Sequence, residues 1–185
     1  MNDLPLLWWF ARATGLVAEG ALLGAMLCGL GIAGVLPGMD RKRSMALHET
    51  WTLASLLFTT AHVIAIGVDD YARVEPLALV VPFASSVLRG PVALGTFALW
   101  GLAVVAVSTV AKAHIPREAW RVFHAVAYAT FLLVLFHGLF AGSDAKHPFV
   151  VAFHAISLAS IVAASVWRAL SGPAAATPAR GGEAG

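Results

Sequence analysis

Four histidines in two apolar stretches carry the chemistry that this sequence can do. His48 and His62 lie in SMALHETWTLASLLFTTAHVIAIGVDD, Ser44 to Asp70. His124 and His137 lie in REAWRVFHAVAYATFLLVLFHGLFAG, Arg117 to Gly142. Neutral imidazole is a good ligand for first-row transition metals, haem iron among them. The separations are 14 and 13 residues. On a helix rising 1.5 Å per residue these are about 21 and about 20 Å, so two helices side by side would set their histidines at two matched depths. The simplest chemistry with that requirement is two haems stacked across a bilayer about 30 Å thick, each gripped by one histidine from each helix. Four imidazoles buried in hydrocarbon without partners would cost several kcal/mol.

Facing is the harder condition. Fourteen residues fall about 40° short of four full turns, so His48 and His62 share a helix face. Thirteen residues leave His124 and His137 roughly 140° apart on an ideal helix. The second stretch therefore needs a distortion, a tilt, or different directions of ring approach.

The elements that must hold these groups are membrane spans. The chain has 185 residues, 59% hydrophobic and 12% charged. That excludes an ordinary soluble domain. Apolar runs near or above 20 residues predict an all-α integral membrane bundle of about five spans: Leu6–Val35, Met45–Val68, Val92–Ala113, Ala119–Ala141 and Pro148–Leu170. The segment Pro76–Leu88 is apolar but short and broken by Pro82, so it belongs at the interface rather than across the membrane. The bundle occupies residues 1–170, and the Pro/Gly/Ala-rich stretch 171–185 reads as a disordered tail. The N-terminal stretch lacks a basic n-region and is expected to be a retained first span. Basic residues are not interleaved with aromatics, which argues against a nucleic-acid partner. A single cysteine, Cys28, rules out an internal disulfide and reads as a small core residue.

Charge sets the orientation. With both basic turns and the tail on one side, that side carries Arg41, Lys42, Arg43, Lys112, Arg117, Arg121, Arg168 and Arg180. The other side carries Arg12, Arg73, Arg89 and Lys146. The positive-inside rule then puts the N-terminus outside and the C-terminus in the cytoplasm, in a cell (inner) membrane. Spans 2 and 4 run parallel, and His48 levels with His124, His62 with His137.

Secondary candidates follow. Arg43 and Arg121, with Arg41 and Arg117, are inner-side cations for haem propionates, and Arg12, Arg73 and Arg89 are outer-side ones. Trp51, Phe123, Phe131 and Phe136 are possible macrocycle contacts, lipid or core contact being the default. Gly20, Gly24 and Cys28 form a small-residue ridge that admits a close helix. Glu19, deep in the first span, is either a proton-handling group or the partner of a neighbouring polar group. His154 has several readings: alternative ligand, haem-edge hydrogen bonder, part of a proton or quinol site, or bystander. His114 and His147 belong to solvated turns.

The histidine pairs at 14 and 13, with WWFARATGLVA, LHETW…AHVIAIGVDD, VPFASSVLRGPVALGT and REAWRVFHAVAYATFLLVLFHGLFAGSD, resemble the ferric reductase-like transmembrane domain family over about Leu6 to Leu170. That family includes the membrane parts of NADPH oxidases and ferric reductases, and the haem-binding membrane subunit of the periplasmic methionine sulfoxide reductase system. The resemblance implies haem b at His48/His124 and at His62/His137. Many members have six spans against five here. The flavin and nicotinamide domain of the oxidases has no counterpart, since no Gly-rich dinucleotide fingerprint opens a βαβ unit. The implied role is an electron-transfer subunit of a membrane oxidoreductase. Its donor would be a cytoplasmic flavin/NAD(P)H protein or a quinol. Its outer-face acceptor would be a periplasmic oxidoreductase, such as a methionine sulfoxide reductase, or ferric iron. Two rivals stay open: a b561-like quinol or ascorbate cytochrome, and a non-redox transporter or assembly subunit.

Overall fold

The computed structural model describes residues 6–32 and 40–171. Among them are five long helices, α1 (Leu6–Ile32), α2 (Arg41–Val68), α3 (Arg89–Val110), α4 (Arg117–Ala141) and α5 (Pro148–Ser171), and no strand. All five are long and apolar enough to cross a membrane. This is the all-α membrane bundle that the apolar runs predict. An intact helix meets every interior backbone group within the segment, which is the condition for sitting in hydrocarbon. The end of the first expected span, the residues from there up to Asp40 and nearly all of the 171–185 tail lie outside the described residues.

Helix starts are set by local chemistry. Asp40 caps α2, its carboxylate accepting from the Arg43 N–H at 2.8 Å. Prolines stand at or just before the starts of α4 (Pro116) and α5 (Pro148), where the missing N–H costs nothing. One expectation is corrected here. Arg41, Lys42 and Arg43 are the first turn of α2, not a connecting turn, because the Asp40 cap starts the helix before the apolar run begins.

The closely packed neighbours are α1 with α2 and α3 with α4; α5 touches α1 and α4. α2 and α4 are not among the closely packed pairs. α1 is the central helix, burying Ala11, Ala18, Ala21, Leu22, Ala25, Met26, Cys28 and Leu30. A compact core of Leu22, Met26, Phe131, Leu135 and Ile161 joins α1, α4 and α5. Gly101 lets α3 approach α4 at Thr130. Outward-facing side chains such as Leu53, Leu57, Ile64, Val122 and Phe140 are apolar and exposed, the surface a bilayer would cover. Of the small-residue ridge on α1, Gly20 faces Phe153 of α5 and Gly24 faces Trp51 of α2, so the ridge serves two neighbours.

The connection from Asp69 to Leu88 does not cross. It holds one short 3-10 helix, Pro76–Leu79. The Ser86 N–H closes it onto the Glu75 carboxylate at 3.1–3.2 Å, and Thr96 ties it to α3 through the Ala78 carbonyl at 2.7 Å.

Candidate functional site

The four histidines form two pairs between α2 and α4. The rings of His48 and His124 have centres 6.1 Å apart, and those of His62 and His137 are 6.2 Å apart. First pairs with first and second with second, as parallel α2 and α4 require. We call the His48/His124 end inner and the His62/His137 end outer. α4 is an unbroken α-helix through both of its histidines, so no bulge absorbs the 13-residue mismatch. The rings approach differently instead. His137 is drawn to α3, where its Nδ1 lies 2.8 Å from the Pro91 carbonyl. His124 lies nearly flat on Trp120, centres 4.8 Å apart at 21°.

Two imidazoles on opposite faces of one metal ion have ring centres about 6 Å apart, given a metal–nitrogen bond of about 2 Å and roughly 1 Å from nitrogen to ring centre. An edge-to-face pair of free rings also falls in that range. The hydrogen bonding separates the two arrangements. Nδ1 of His48 meets the Ala25 carbonyl at 2.7 Å, and Nδ1 of His62 meets the Ala11 carbonyl at 2.6 Å. A carbonyl oxygen only accepts, so each Nδ1 of these three histidines carries the hydrogen. In the neutral ring Nε2 then holds the lone pair, the posture of a metal ligand fixed by a backbone acceptor. Among the described residues no hydrogen bond joins the rings within either pair, and none of the four Nε2 atoms is a buried orphan.

Backbone shape seats the same three rings. A Cβ at Gly15 would come 3.1 Å from His62 Nδ1, one at Gly29 3.4 Å from His48 Nδ1, and one at Gly95 2.8 Å from His137 Cε1. Each glycine stands four residues after the carbonyl that holds the ring: Ala11 and Gly15, Ala25 and Gly29, Pro91 and Gly95. The glycine opens a notch and the carbonyl one turn back takes the N–H. His124 lacks this seat. Its Nδ1 is buried without a partner, as is the Trp120 Nε1 beside it. Lys112 Nζ covers the other side of this stack, 4.4 Å from the Trp120 ring centre.

A cavity opens beside the outer pair. His62, His137, Gly15 and Gly95 line it, together with Arg12, Glu19, Asp144 and His154. Arg12 forms an ion pair with Asp144 at the start of the α4–α5 turn, and its guanidinium lies over Trp8 at 6.0 Å. The guanidinium expected as an outer-side propionate cation thus has a carboxylate partner within the chain. Arg89 likewise donates to the Phe83 carbonyl at 2.8 Å. Arg43 and Arg121 are exposed at the inner end, Arg121 one turn before His124. Among the possible macrocycle contacts, Phe131 is fully buried in the core. Phe136 stacks on Phe140, and Trp51 rests on Gly24. His154 stands apart from the two pairs, its Nδ1 engaged by Glu19 at 2.9 Å. His114 and His147 are exposed in turns.

Among the described residues no three His, Cys, Asp or Glu side chains converge as a metal cage. The arrangement offers two ligands per site, which suits a metal whose remaining positions are filled by its own macrocycle. No family model, curated protein or solved structure matches the chain.

The glycine seats were legible but unread in the sequence. ARATG, AMLCG and PVALG each end in the glycine, and Gly15 and Gly29 stand 14 residues apart, the His48–His62 interval.

Proposed function

We propose that this protein is a di-haem b-type membrane cytochrome that carries electrons across a membrane. One observation carries the reading: two imidazole pairs about 20 Å apart in depth, each with ring centres just over 6 Å apart, between two helices that are not otherwise closely packed. His48 and His124 would hold the inner haem, His62 and His137 the outer one. Haem, when bound, supplies a one-electron iron couple. The chain's own part is to supply axial nitrogens, fix ring orientation through the Ala11, Ala25 and Pro91 carbonyls, and exclude water with an apolar sheath. Arg43 and Arg121, exposed beside the inner pair, are suited to propionates.

The resemblance to the ferric reductase-like transmembrane domain family is part of the proposal. It supplies the direction of flow: from a cytoplasmic flavin/NAD(P)H protein or a quinol, to a periplasmic oxidoreductase or ferric iron at the outer face. The basic residues of the inner end support a cytoplasmic inner face, the N-terminus outside and the C-terminus inside, by the positive-inside rule.

The test is a dithionite-reduced minus oxidised absorption spectrum of the purified chain, with pyridine haemochrome stoichiometry. The expected result is a low-spin b-type spectrum with two haems per chain. A colourless preparation from haem-replete cells would defeat the reading and favour a non-redox membrane protein.

A further inference from the structure

One buried ionisable pair lies outside the two histidine pairs. Glu19 of α1 and His154 of α5 are each 2% exposed, and His154 Nδ1 lies 2.9 Å from the Glu19 carboxylate. The other ring nitrogen, Nε2, is buried with no partner. The ring rests on Gly138 of α4, where a Cβ would come within 2.8 Å of Cε1 and 3.2 Å of Nε2. One turn along α5, the Ser157 hydroxyl is also buried and unpartnered.

As a purely structural bond this arrangement is poor. A buried carboxylate is costly even when paired, and leaving Nε2 empty adds a further desolvation cost. A carboxylate at this depth in a membrane span marks a functional site by default. Glu19 and His154 line the same cavity as His62 and His137, yet no hydrogen bond or ring contact joins them to either one. Glu19 is close enough to interact electrostatically with His137, so a charge placed at the His62/His137 site is felt by the pair.

The titratable and charged groups facing this cavity are few. α1 brings Arg12 and Glu19, α2 His62, α4 His137, the following turn Asp144, and α5 His154; α3 brings none. Arg12 and Asp144 neutralise each other. His62 and His137 are reserved as ligands. The Glu19–His154 pair is what remains to answer a change of charge.

We propose that the Glu19–His154 pair is a redox-linked proton site: it binds one proton from water when an electron arrives at the His62/His137 site and releases it when the electron leaves. This rests on the di-haem reading. The electron would come from the protein's donor and be taken by the one-electron iron couple that a haem held by His62 and His137 would supply. The proton comes from solvent and binds the pair; no other bond forms or breaks. The cavity's net charge is then unchanged, which avoids adding an uncompensated charge in a medium of low dielectric.

The experiment is a spectroelectrochemical titration of the full chain at several pH values. His48→Ala and His62→Ala identify which transition belongs to which site. The outer potential is expected to fall as pH rises, and Glu19→Gln, which can still accept the His154 N–H, is expected to abolish that slope while both haems remain. A pH-independent outer potential in the unaltered protein, or a slope retained in Glu19→Gln, would overturn the proposal with the di-haem reading intact. Absence of haem in the unaltered protein would overturn both. If Glu19→Gln does not fold, the redox-induced infrared difference spectrum of the unaltered protein decides. A carboxyl band that changes on reduction and is altered in His154→Gln supports the pair as the proton site, and a spectrum unaffected by that substitution overturns it.

Discussion

The outer and inner histidine pairs have nearly the same ring separation and different construction. At the outer pair both Nδ1 atoms are held by backbone carbonyls and both rings lie against glycine. The inner pair has one such ring, His48, and one, His124, steadied by a stacked tryptophan beneath a lysine. A backbone seat cannot move without moving a helix, whereas a stacked side chain can turn about its own bonds. The outer pair is therefore the more rigidly held and the inner pair, beside the exposed basic end, the more adjustable. A buried ring N–H without an acceptor costs roughly 1–3 kcal/mol, so the His124 end is where a propionate, a water or a partner group has most to gain by binding.

The largest test of this contrast removes ligands one at a time. His62→Ala or His137→Ala is expected to lower haem content from two per chain to one, keeping the inner spectrum. His48→Ala or His124→Ala should do the reverse. If none of the four loses a haem, the pairing is wrong.

Next come the glycine seats, whose effects should rank with the space available. At Gly95 an added methyl would sit 2.8–2.9 Å from the His137 ring, too close without displacement. Overpacking costs typically 1–3 kcal/mol, so Gly95→Ala should weaken outer-site haem affinity on the order of tenfold or more. Gly29→Ala, with 3.4 Å available, should leave the inner site filled. Haem titration of the two variants checks the order, and equal losses would remove the notch from the account.

A smaller effect is expected at Trp120. Replacing it with leucine removes a stack worth about 0.5–1.5 kcal/mol. Inner-site affinity should drop a few-fold, and the low-spin signals of that haem should shift in electron paramagnetic resonance. The outer signals should stay where they are.

The smallest concerns the Asp69–Leu88 connection, which packs on α3 near the outer pair. Hydrogen bonds from Ser86 hold the half-buried Glu75 carboxyl below its ordinary value. A depressed folded value means that this contribution is present above the ordinary carboxylate pKa and is lost as pH falls through the folded one. Limited proteolysis of the connection should speed up in acid, and Glu75→Gln should flatten that dependence.

Much of this was open to reading in the chain itself. Runs of apolar residues between charged or proline-bearing turns mark five helices, because a bilayer imposes one length on every span. Matched intervals of 14 and 13 residues place histidines at two depths, because helical rise is constant. The 140° mismatch on α4 leaves distortion, tilt or ring direction open. The helix stays regular through both histidines, so no bulge absorbs it, and the two rings turn to different neighbours, His137 to the Pro91 carbonyl and His124 to Trp120. Arg12 offered no sign of its partner: Asp144 lies far along the chain and only the fold brings the two together. Glu19 and His154, 135 residues apart, are the same case.

By itself, then, the order of residues determined helix number, span length and the depth of each imidazole, since these depend on local geometry along one axis. Which carbonyl each ring faces, which glycine yields to it, and which carboxylate meets which base depend on how helices rotate and cross. Those are decided by side-chain packing between segments distant in sequence, and only the assembled bundle contains that information.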